Sequence, residues 1–261
     1  MGEIVENEAL RTDFAKTAIG RDRMKDNVLE RIAGQDLGGN RPNTLVTYLN
    51  PYSYLIAREH FGPFGQFDEI RIDGIALVFF LKLFNIAAFA RRSFDMTSDA
   101  AEVFAEAAGK GKNVYLIGAE PEEMARAVQR ISARFPQLKI AGFRGGYFKN
   151  EMQRQEVLDA LAETSPDYVI CGMGAPYQER FLVDLRQAGW QGTGYTCGGF
   201  FHQSAERLDY YPKWIDKLHF RWLYRIYKEP KLARRYGWEY PKFVWFFLTD
   251  YRNFRRQRRE D

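Results

Sequence analysis

The stretch Asn113-Val-Tyr-Leu-Ile-Gly118 is a short apolar run that ends in glycine, and Pro121 follows it three residues later. A run of this length bounded by a turn residue is typical of a buried strand, and proline is favoured at the first position of a helix. After Pro121, apolar residues recur at helical spacing, at Met124, Val128, Ile131 and Phe135. The stretch therefore predicts a buried strand followed by an amphipathic helix.

The same order of strand and helix continues on both sides of this unit. Further strands are predicted at 44–49, 67–72, 138–142, 168–171 and 194–197, and further helices at 52–59, 75–90, 98–108, 149–163 and 176–187. Strands that alternate with helices of about 10–15 residues are joined by crossovers into a parallel sheet. The sequence therefore predicts an α/β fold, a Rossmann-like parallel sheet with helices on both faces.

The composition excludes several classes of protein. The chain of 261 residues is 46% hydrophobic and 28% charged, which is typical of a globular protein and not of a disordered or fibrous one. Its two cysteines and three histidines do not suit a disulfide framework or a Cys- or His-rich metal site. The acidic N-terminal segment lacks the apolar stretch that is typical of a secretory signal peptide. The longest apolar stretch, 75–90, contains Lys82 and Asn85 and is shorter than the roughly 20 residues of a membrane span.

Charge is distributed unevenly along the chain. Residues 211–261 hold 14 Lys and Arg against 6 Asp and Glu, a net charge of +8, whereas residues 1–210 have a net charge of −4. The same segment contains 15 of the 41 aromatic residues. A basic aromatic tail predicts a surface for anionic lipid, nucleic acid or phosphate, although an amphipathic helix packed on its own domain is also consistent with it. We therefore divide the chain into a domain at 1–205 and a helical appendage at 206–261.

Two motifs at predicted strand ends carry candidate chemistry. Gly172-Met-Gly-Ala-Pro-Tyr-Gln-Glu179 joins a strand to a helix, and its small residues would let a phosphate approach the helix N-terminus. Asp73, in Ile72-Asp-Gly74, stands at a strand end where a general base could act. Each motif also has a purely structural interpretation: the first could be a tight turn between a strand and a helix, and Asp73 could cap the next helix.

Two further segments add candidate contacts. Gly194-Tyr-Thr-Cys-Gly-Gly-Phe-Phe201 permits close backbone approach after the last strand, or is a plain turn. Arg225 and Arg235 in the tail could close over a diphosphate, or lie on a solvated helix face. The chain has no Asp-x-Asp pair, so a metal-chelating nucleotide-sugar site is not indicated. Cys171, at a buried strand end, is expected to be a core residue.

Taken together, these motifs resemble the WecG/TagA/CpsF family of bacterial glycosyltransferases, glycosyltransferase family 26. The resemblance covers about residues 44–248 and rests on the order and spacing of several motifs. They are Leu49-Asn50, Asp73-Gly74, the loop 91–95, Gly145-Gly-Tyr-Phe148, the 172–179 motif, Gly198-Gly-Phe200, and Trp222-Leu-Tyr-Arg225 with Lys228-Glu-Pro230.

The resemblance implies an inverting, metal-independent transfer from a UDP-sugar to a polyprenyl-diphosphate-linked acceptor, with no cofactor. It implies a peripheral enzyme on the cytoplasmic face of the bacterial inner membrane. The expected partner surface is anionic lipid and not nucleic acid. A homo-oligomer is possible under the same resemblance. Asp73 is implied as the catalytic base. The implied substrate-binding residues are Asn50, Asp95, Gly145, Gly172, Gly174, Gln178, Glu179, Gly198, Gly199, Arg225 and Arg235.

The chain departs from the family pattern at several positions. Tyr48 stands where Thr is frequent, Leu232 where a further arginine is frequent, and His202 where many relatives have Asp. The stretches around Asn50 and Asp95 are similar to exopolysaccharide members such as the xanthan glucuronosyltransferase. Two other function classes compete with this interpretation. A nucleotide-binding oxidoreductase is disfavoured because GxGxxG is missing after the first strand, and a membrane adaptor leaves the strand-end motifs unexplained.

Overall fold

The computed structural model describes residues 27–35, 43–210, 215, 221–228 and 231–260. For residues 221, 222, 225, 231–236 and 260 the description covers the helical backbone and not the side chains. Within these ranges, no helix is both long enough and apolar enough to span a bilayer.

The strands form one six-stranded sheet in which every neighbouring pair is parallel. The strand order across the sheet is β2-β1-β6-β5-β3-β4. The strands are β1 Leu45–Leu49, β2 Glu69–Ile72, β3 Asn113–Gly118, β4 Lys139–Arg144, β5 Tyr168–Gly172 and β6 Thr193–Thr196. The predicted α/β fold with a Rossmann-like parallel sheet is therefore confirmed.

Helices connect and cover these strands. Before and between the first strands lie α1 Val28–Ala33, α2 Pro51–Glu59, α3 Phe61–Gly65, α4 Ile75–Leu83 and α5 Asp99–Gly109. The later helices are α6 Pro121–Arg134, α7 Glu151–Thr164, α8 Tyr177–Gln187, α9 Phe200–Glu206, α10 Arg221–Lys228 and α11 Lys231–Glu260. Most predicted boundaries agree with these within a few residues.

The direction of each crossover decides which face a helix covers. The connections from β1 to β2 and from β5 to β6 run toward one edge of the sheet, whereas the connection from β3 to β4 runs toward the other. Since such crossovers are right-handed, α2 and α8 lie on one face and α6 on the opposite face. Phe201 of α9 shares a buried cluster with Met124 of α6, so α9 covers the same face as α6.

One predicted helix is shorter than expected. The apolar stretch 75–90 is helical only to Leu83, because Asn85 takes a positive φ of 51° that ends the helical path. Asparagine tolerates this left-handed conformation better than most residues. A loop then returns toward the sheet, where the Arg92 N–H donates to the Ile72 carbonyl at 2.9 Å. Ser98 precedes α5 as predicted, but its side chain makes no capping hydrogen bond.

The C-terminal helix α11 is part of the hydrophobic core. Phe243, Phe247 and Phe254 are buried in one cluster with residues of α1, α2 and α4. The buried Asp250 accepts a hydrogen bond from the Tyr54 hydroxyl at 2.8 Å and pairs with Arg58 at 3.0 Å. The basic aromatic appendage thus packs one face on the body, and the boundary after residue 205 stays a prediction.

Glycines let three strand ends approach each other closely. A Cβ at Gly118, at the end of β3, would lie 2.4 Å from the Gly172 carbonyl oxygen on β5. Gly146 packs in the same way, because its Cβ would lie 2.9 Å from the Gly118 Cα. A side chain at these positions would meet backbone that cannot move without disturbing the sheet.

We predict that Gly118→Ala lowers the free energy of unfolding by about 2 kcal/mol or more, because the added methyl group overlaps the β5 backbone. Gly109→Ala is the matched control, since nothing lies within 4 Å of its Cβ. Alanine there should stabilise the end of α5 by up to about 1 kcal/mol. Urea unfolding followed by circular dichroism measures both, and equal stabilities of the two variants would contradict the close packing.

Candidate active site

The predicted site residues outside the appendage lie at one edge of the sheet or just beyond it. Because all strands are parallel, their carboxyl ends meet at that edge. Asn50 follows β1, Asp73 follows β2, Gly145 follows β4 and Gly172 ends β5. The chain leaves β6 toward the α6 face but leaves β1 and β5 toward the α8 face, and open α/β sheets bind ligands in the crevice at such a point.

Glycines lie where β5 and β6 end, along this edge of the sheet. A Cβ at Gly172 would lie 2.7 Å from the Cys197 Sγ and 3.0 Å from the Gly198 carbonyl oxygen. Gly174 and Gly198 take positive φ angles of 75° and 54°, which glycine adopts without strain. Close packing of β5 against the turn after β6 therefore requires glycine at 172, whereas nothing lies within 4 Å of a Cβ at Gly174 or Gly198.

The side chains of Gln178 and Glu179 are buried, and they connect the segments that meet at this edge. The Thr47 hydroxyl and the Gln178 Nε2 each donate to the Glu179 Oε1 at 2.9 Å. The Gln178 Oε1 accepts a hydrogen bond from the Gly198 N–H at 3.1 Å. The Thr196 hydroxyl donates to the Thr47 hydroxyl at 3.0 Å. This network connects β1, β6 and α8, so both predicted residues support the glycine turn, and their contact with substrate stays a prediction.

The carboxyl group of Glu179 is fully buried in this network. Its Oε2 has no hydrogen-bond partner among the residues that the structure describes. Burial raises the pKa of Glu179 to about 7, although the hydrogen bonds from Gln178 and Thr47 lower it. This carboxyl group therefore holds its proton over a pH range in which an ordinary glutamate is ionised.

Asp73 is held at the edge by its backbone and by Arg91. Its N–H donates to the Leu49 carbonyl at 2.8 Å, and its side chain is 36% exposed. The Arg91 Nε donates to the Asp73 carbonyl at 2.8 Å, and the Arg91 Nη2 donates to the Asp73 Oδ1 at 3.2 Å. A Cβ at Gly74 would lie 2.5 Å from the Pro51 Cδ, which explains why glycine follows the aspartate. Arg91 lies in the 91–95 loop, and no role was predicted for it from the sequence.

Asp95 organises the loop that carries Arg91. The Ser93 hydroxyl donates to the Asp95 Oδ2 at 2.6 Å and accepts from the Arg91 Nη2 at 3.1 Å. The Asp95 Oδ1 accepts from the N–H and the hydroxyl of Thr97. A chain of hydrogen bonds thus runs from Asp95 to Asp73, and Asp95 acts on the edge through Ser93 and Arg91.

A buried ionic cluster beneath this loop was missed from the sequence. Asp99 is fully buried and pairs with the Arg71 Nη1 at 2.6 Å and the Arg92 Nε at 2.5 Å. The Tyr48 hydroxyl donates to Asp99 at 2.6 Å, and Glu69 pairs with Arg71 at 2.8 Å. Burial, and then the charge of Asp99, raise the pKa of Tyr48. The signal was the pair of opposite charges, Glu69 and Arg71, two residues apart on a predicted strand.

Asn50, Arg225 and Arg235 were also predicted to contact substrate, and this stays a prediction. The Asn50 Oδ1 accepts from the N–H groups of Tyr52 and Ser53, so it caps α2. The side chains of Arg225 and Arg235 lie outside the described residues, although their backbones are helical. Cys171 is buried, which raises the pKa of its thiol, as expected of a core residue.

His202, one of the departures from the family pattern, contacts an acidic residue of α6. The His202 Nδ1 lies 2.7 Å from the Glu123 Oε1, so this departure from the family pattern joins α9 to α6. Among the described residues, no group of three or more His, Cys, Asp and Glu side chains could hold a metal ion.

The chain matches one family model and is similar to several known glycosyltransferases. A family model described as Glycosyl transferase WecG/TagA/CpsF family matches residues 16–258. A UDP-Gal:alpha-D-GlcNAc-diphosphoundecaprenol beta-1,4-galactosyltransferase of Shigella boydii is 36% identical over 232 residues, which is 87% of this chain and 96% of the relative. An N-acetylglucosaminyldiphosphoundecaprenol N-acetyl-beta-D-mannosaminyltransferase of Bacillus subtilis (strain 168) is 27% identical over 213 residues, 80% of each chain. A protein of the same description from Bacillus spizizenii is 30% identical over 178 residues, 68% of this chain and 66% of the relative.

The raised pKa of Glu179 predicts a dependence of stability on pH. Between about pH 4.5 and 7 the folded protein keeps a proton that the unfolded chain releases, so the free energy of unfolding falls as pH rises. Glu179→Gln imitates the protonated group and should be more stable than the unchanged protein at pH 8 by up to about 3 kcal/mol. The difference should disappear near pH 4.5.

Urea unfolding of both proteins at the two pH values measures this difference. Glu156→Gln, at an exposed position on α7, is the matched control and should change stability little at either pH. A stability difference for Glu179→Gln that is the same at both pH values would contradict the prediction.

Proposed function

Because the chain belongs to the WecG/TagA/CpsF family and is a glycosyltransferase, we propose that it moves one sugar from a UDP-sugar to a polyprenyl-diphosphate-linked acceptor, with inversion and without a metal ion. The observation that carries this proposal is Asp73, partly exposed and held by Arg91 at the carboxyl edge of the sheet. The glycines at the ends of β5 and β6 lie along the same edge.

Asp73 is the proposed general base. An inverting transfer is a single displacement, so it needs one base on the acceptor hydroxyl and no nucleophilic carboxylate. Asp73 takes the proton while the hydroxyl oxygen attacks the anomeric carbon, and the bond to UDP breaks. Arg91 orients the carboxylate through the Oδ1 and holds the Asp73 carbonyl as well, so the base has a defined direction.

The proposed donor site is the part of the edge that carries Gly172, Gly174 and Gly198. Close backbone approach suits a diphosphate, and the N-terminus of α8 follows directly. The leaving UDP carries negative charge, which the protein must neutralise when no metal does so. We assign this task to Arg225 and Arg235, on α10 and α11, because guanidinium groups match phosphate oxygens.

The names of the relatives suggest the acceptor and a first donor to test. Both descriptions contain a diphosphoundecaprenol that bears N-acetylglucosamine, so we propose this lipid-linked sugar as acceptor. UDP-galactose is the first donor to test, because the Shigella boydii relative is described by it. UDP-glucuronate tests the predicted exopolysaccharide branch. The product would enter bacterial surface polysaccharide or exopolysaccharide synthesis.

We also propose that the appendage holds the enzyme on an anionic membrane, at the cytoplasmic face of the inner membrane. Residues 211–261 carry a net charge of +8, and each Lys or Arg near an anionic surface contributes about 1 kcal/mol. The exposed aromatic side chains of Tyr227, Trp238 and Trp245 suit the interface between lipid and water. A membrane-bound acceptor would then meet the active site without leaving the bilayer.

We predict that Asp73→Asn lowers turnover by about two to four orders of magnitude, the scale of general base catalysis. The fold and the affinity for the UDP-sugar should be retained, because asparagine has the same shape and can accept from Arg91. UDP release from a panel of UDP-sugars with a short-chain lipid-linked acceptor measures turnover. Asp159→Asn, exposed on α7, should leave it unchanged. Near-normal turnover of Asp73→Asn would remove Asp73 from this role.

We predict that turnover survives EDTA, because arginines and backbone N–H groups are proposed to neutralise the leaving UDP. The same UDP-release assay is run after dialysis against EDTA and after adding back magnesium or manganese. A loss of turnover that either ion restores would contradict the metal-independent part of the proposal and leave the role of Asp73 untouched.

A further inference from the structure

Helix α4, which begins two residues after Asp73, exposes a row of large apolar side chains. Ile75, Phe79 and Leu83 are four residues apart, so they lie on one side of the helix. Phe79 and Leu83 are each 58% exposed. The exposed Lys82 borders the same side at its C-terminal end. We call these three apolar residues the α4 ridge.

The ridge stands beside the appendage. On the neighbouring side of α4, the ring of Phe80 packs on Phe243 and Phe247 of α11, with ring centroids 5.4 and 5.2 Å apart. The Phe84 ring packs on Tyr251 with centroids 4.7 Å apart. The two helices are therefore in direct contact, and their exposed sides belong to adjoining parts of the surface.

The exposed side of α11 has the composition of a membrane interface. Trp238 and Trp245 are exposed and two helical turns apart, on the side opposite the buried Phe243. The Lys242 Nζ lies 5.4 Å from the centroid of the Trp238 ring. Further along the same side, Arg252 and Arg256 are exposed. Aromatic rings flanked by cations are characteristic of helices that lie in the headgroup region of anionic bilayers.

We propose that the α4 ridge inserts into the bilayer beside α11, so that the helix next to Asp73 is itself a membrane contact. This inference rests on the proposed membrane-bound acceptor. A nine-residue helix is too short to span a bilayer but can bury one apolar side in it. Lys82 beside the ridge and the exposed cations of α11 favour an anionic lipid surface over a second copy of the chain, which would bring like charges together.

Insertion of the α4 ridge would also set the position of Asp73 relative to the membrane surface. Gly74 is the N-cap of α4 and directly follows Asp73, so a membrane contact on α4 limits the distance between the carboxylate and the headgroups. A polyprenyl diphosphate carries its sugar at that same level. The ridge thus brings the base to the acceptor, while the basic tail supplies long-range attraction.

A fluorophore at the ridge tests insertion directly. The native thiols Cys171 and Cys197 are buried, and burial raises the pKa of each, so they react poorly with labels. Phe79→Cys in the full chain is labelled with an environment-sensitive fluorophore and mixed with phosphatidylglycerol vesicles. Emission should shift to the blue, whereas the same label at Met152→Cys, which is 72% exposed on α7, should not shift.

A neutral double variant tests the contribution of the ridge to binding and turnover. Phe79→Gln with Leu83→Gln changes no charge, and it should lower partition onto these vesicles at high salt by about tenfold or more, since two apolar side chains lose their burial. Turnover on a vesicle-embedded acceptor should fall with it, and turnover on a water-soluble acceptor should be retained. Met152→Gln is the matched control and should change none of these.

Each alternative result has one meaning. A label at Phe79 that stays in water while the protein sediments with vesicles overturns insertion of the ridge and leaves the proposed function intact. If the double variant instead converts a dimer to a monomer in sedimentation analysis, with vesicle binding unchanged, a second copy covers the ridge and the proposal is wrong. If the unchanged protein uses neither acceptor, the proposed function fails, whereas the shift of the Phe79 label still decides insertion.

Discussion

Parallel pairing of β1 with both β2 and β6 is the constraint on which the site depends. It brings the ends of β1 and β2 to the same edge as the end of β6, which lies more than 120 residues later in the chain. Thr47 of β1 can then donate to Glu179, 132 residues away, and the Thr196 hydroxyl on β6 can reach Thr47. The turn at Gly198 donates to Gln178, which donates to Glu179, so the turn is connected to Thr47 of β1 through these two side chains.

A buried ionic cluster also supports the edge of the sheet that carries Asp73. Asp99 and its arginine partners connect β2, α5 and the loop that carries Arg91. Leaving one charge of such a cluster without its partner inside the protein is costly, so the cluster favours a single arrangement of the loop. Arg91 therefore meets Asp73 from a fixed direction, which suits a base that must face one hydroxyl group.

Much of this arrangement follows from local sequence signals. The alternation of apolar runs with amphipathic helices indicated the parallel sheet, and the Gly, Asp and Asn turns indicated which edge carries the site. The inward direction of Gln178 and Glu179 had no such signal, because their partners Thr47 and Gly198 belong to distant segments. The early end of α4 was also missed, since the apolar stretch continues past the left-handed Asn85.

By itself, the sequence determined the α/β class, the strand-end position of Asp73 and the basic aromatic character of the tail, because each depends on local periodicity or on composition. Only the tertiary structure decided that Arg91 meets Asp73, that Asp99 is the centre of an ionic cluster, and that α11 packs beside α4 and leaves the α4 ridge exposed. The physical reason is that hydrogen bonds, ion pairs and ring contacts act over a few ångströms in space. Their partners are chosen by the packing of the whole chain rather than by neighbours in the sequence.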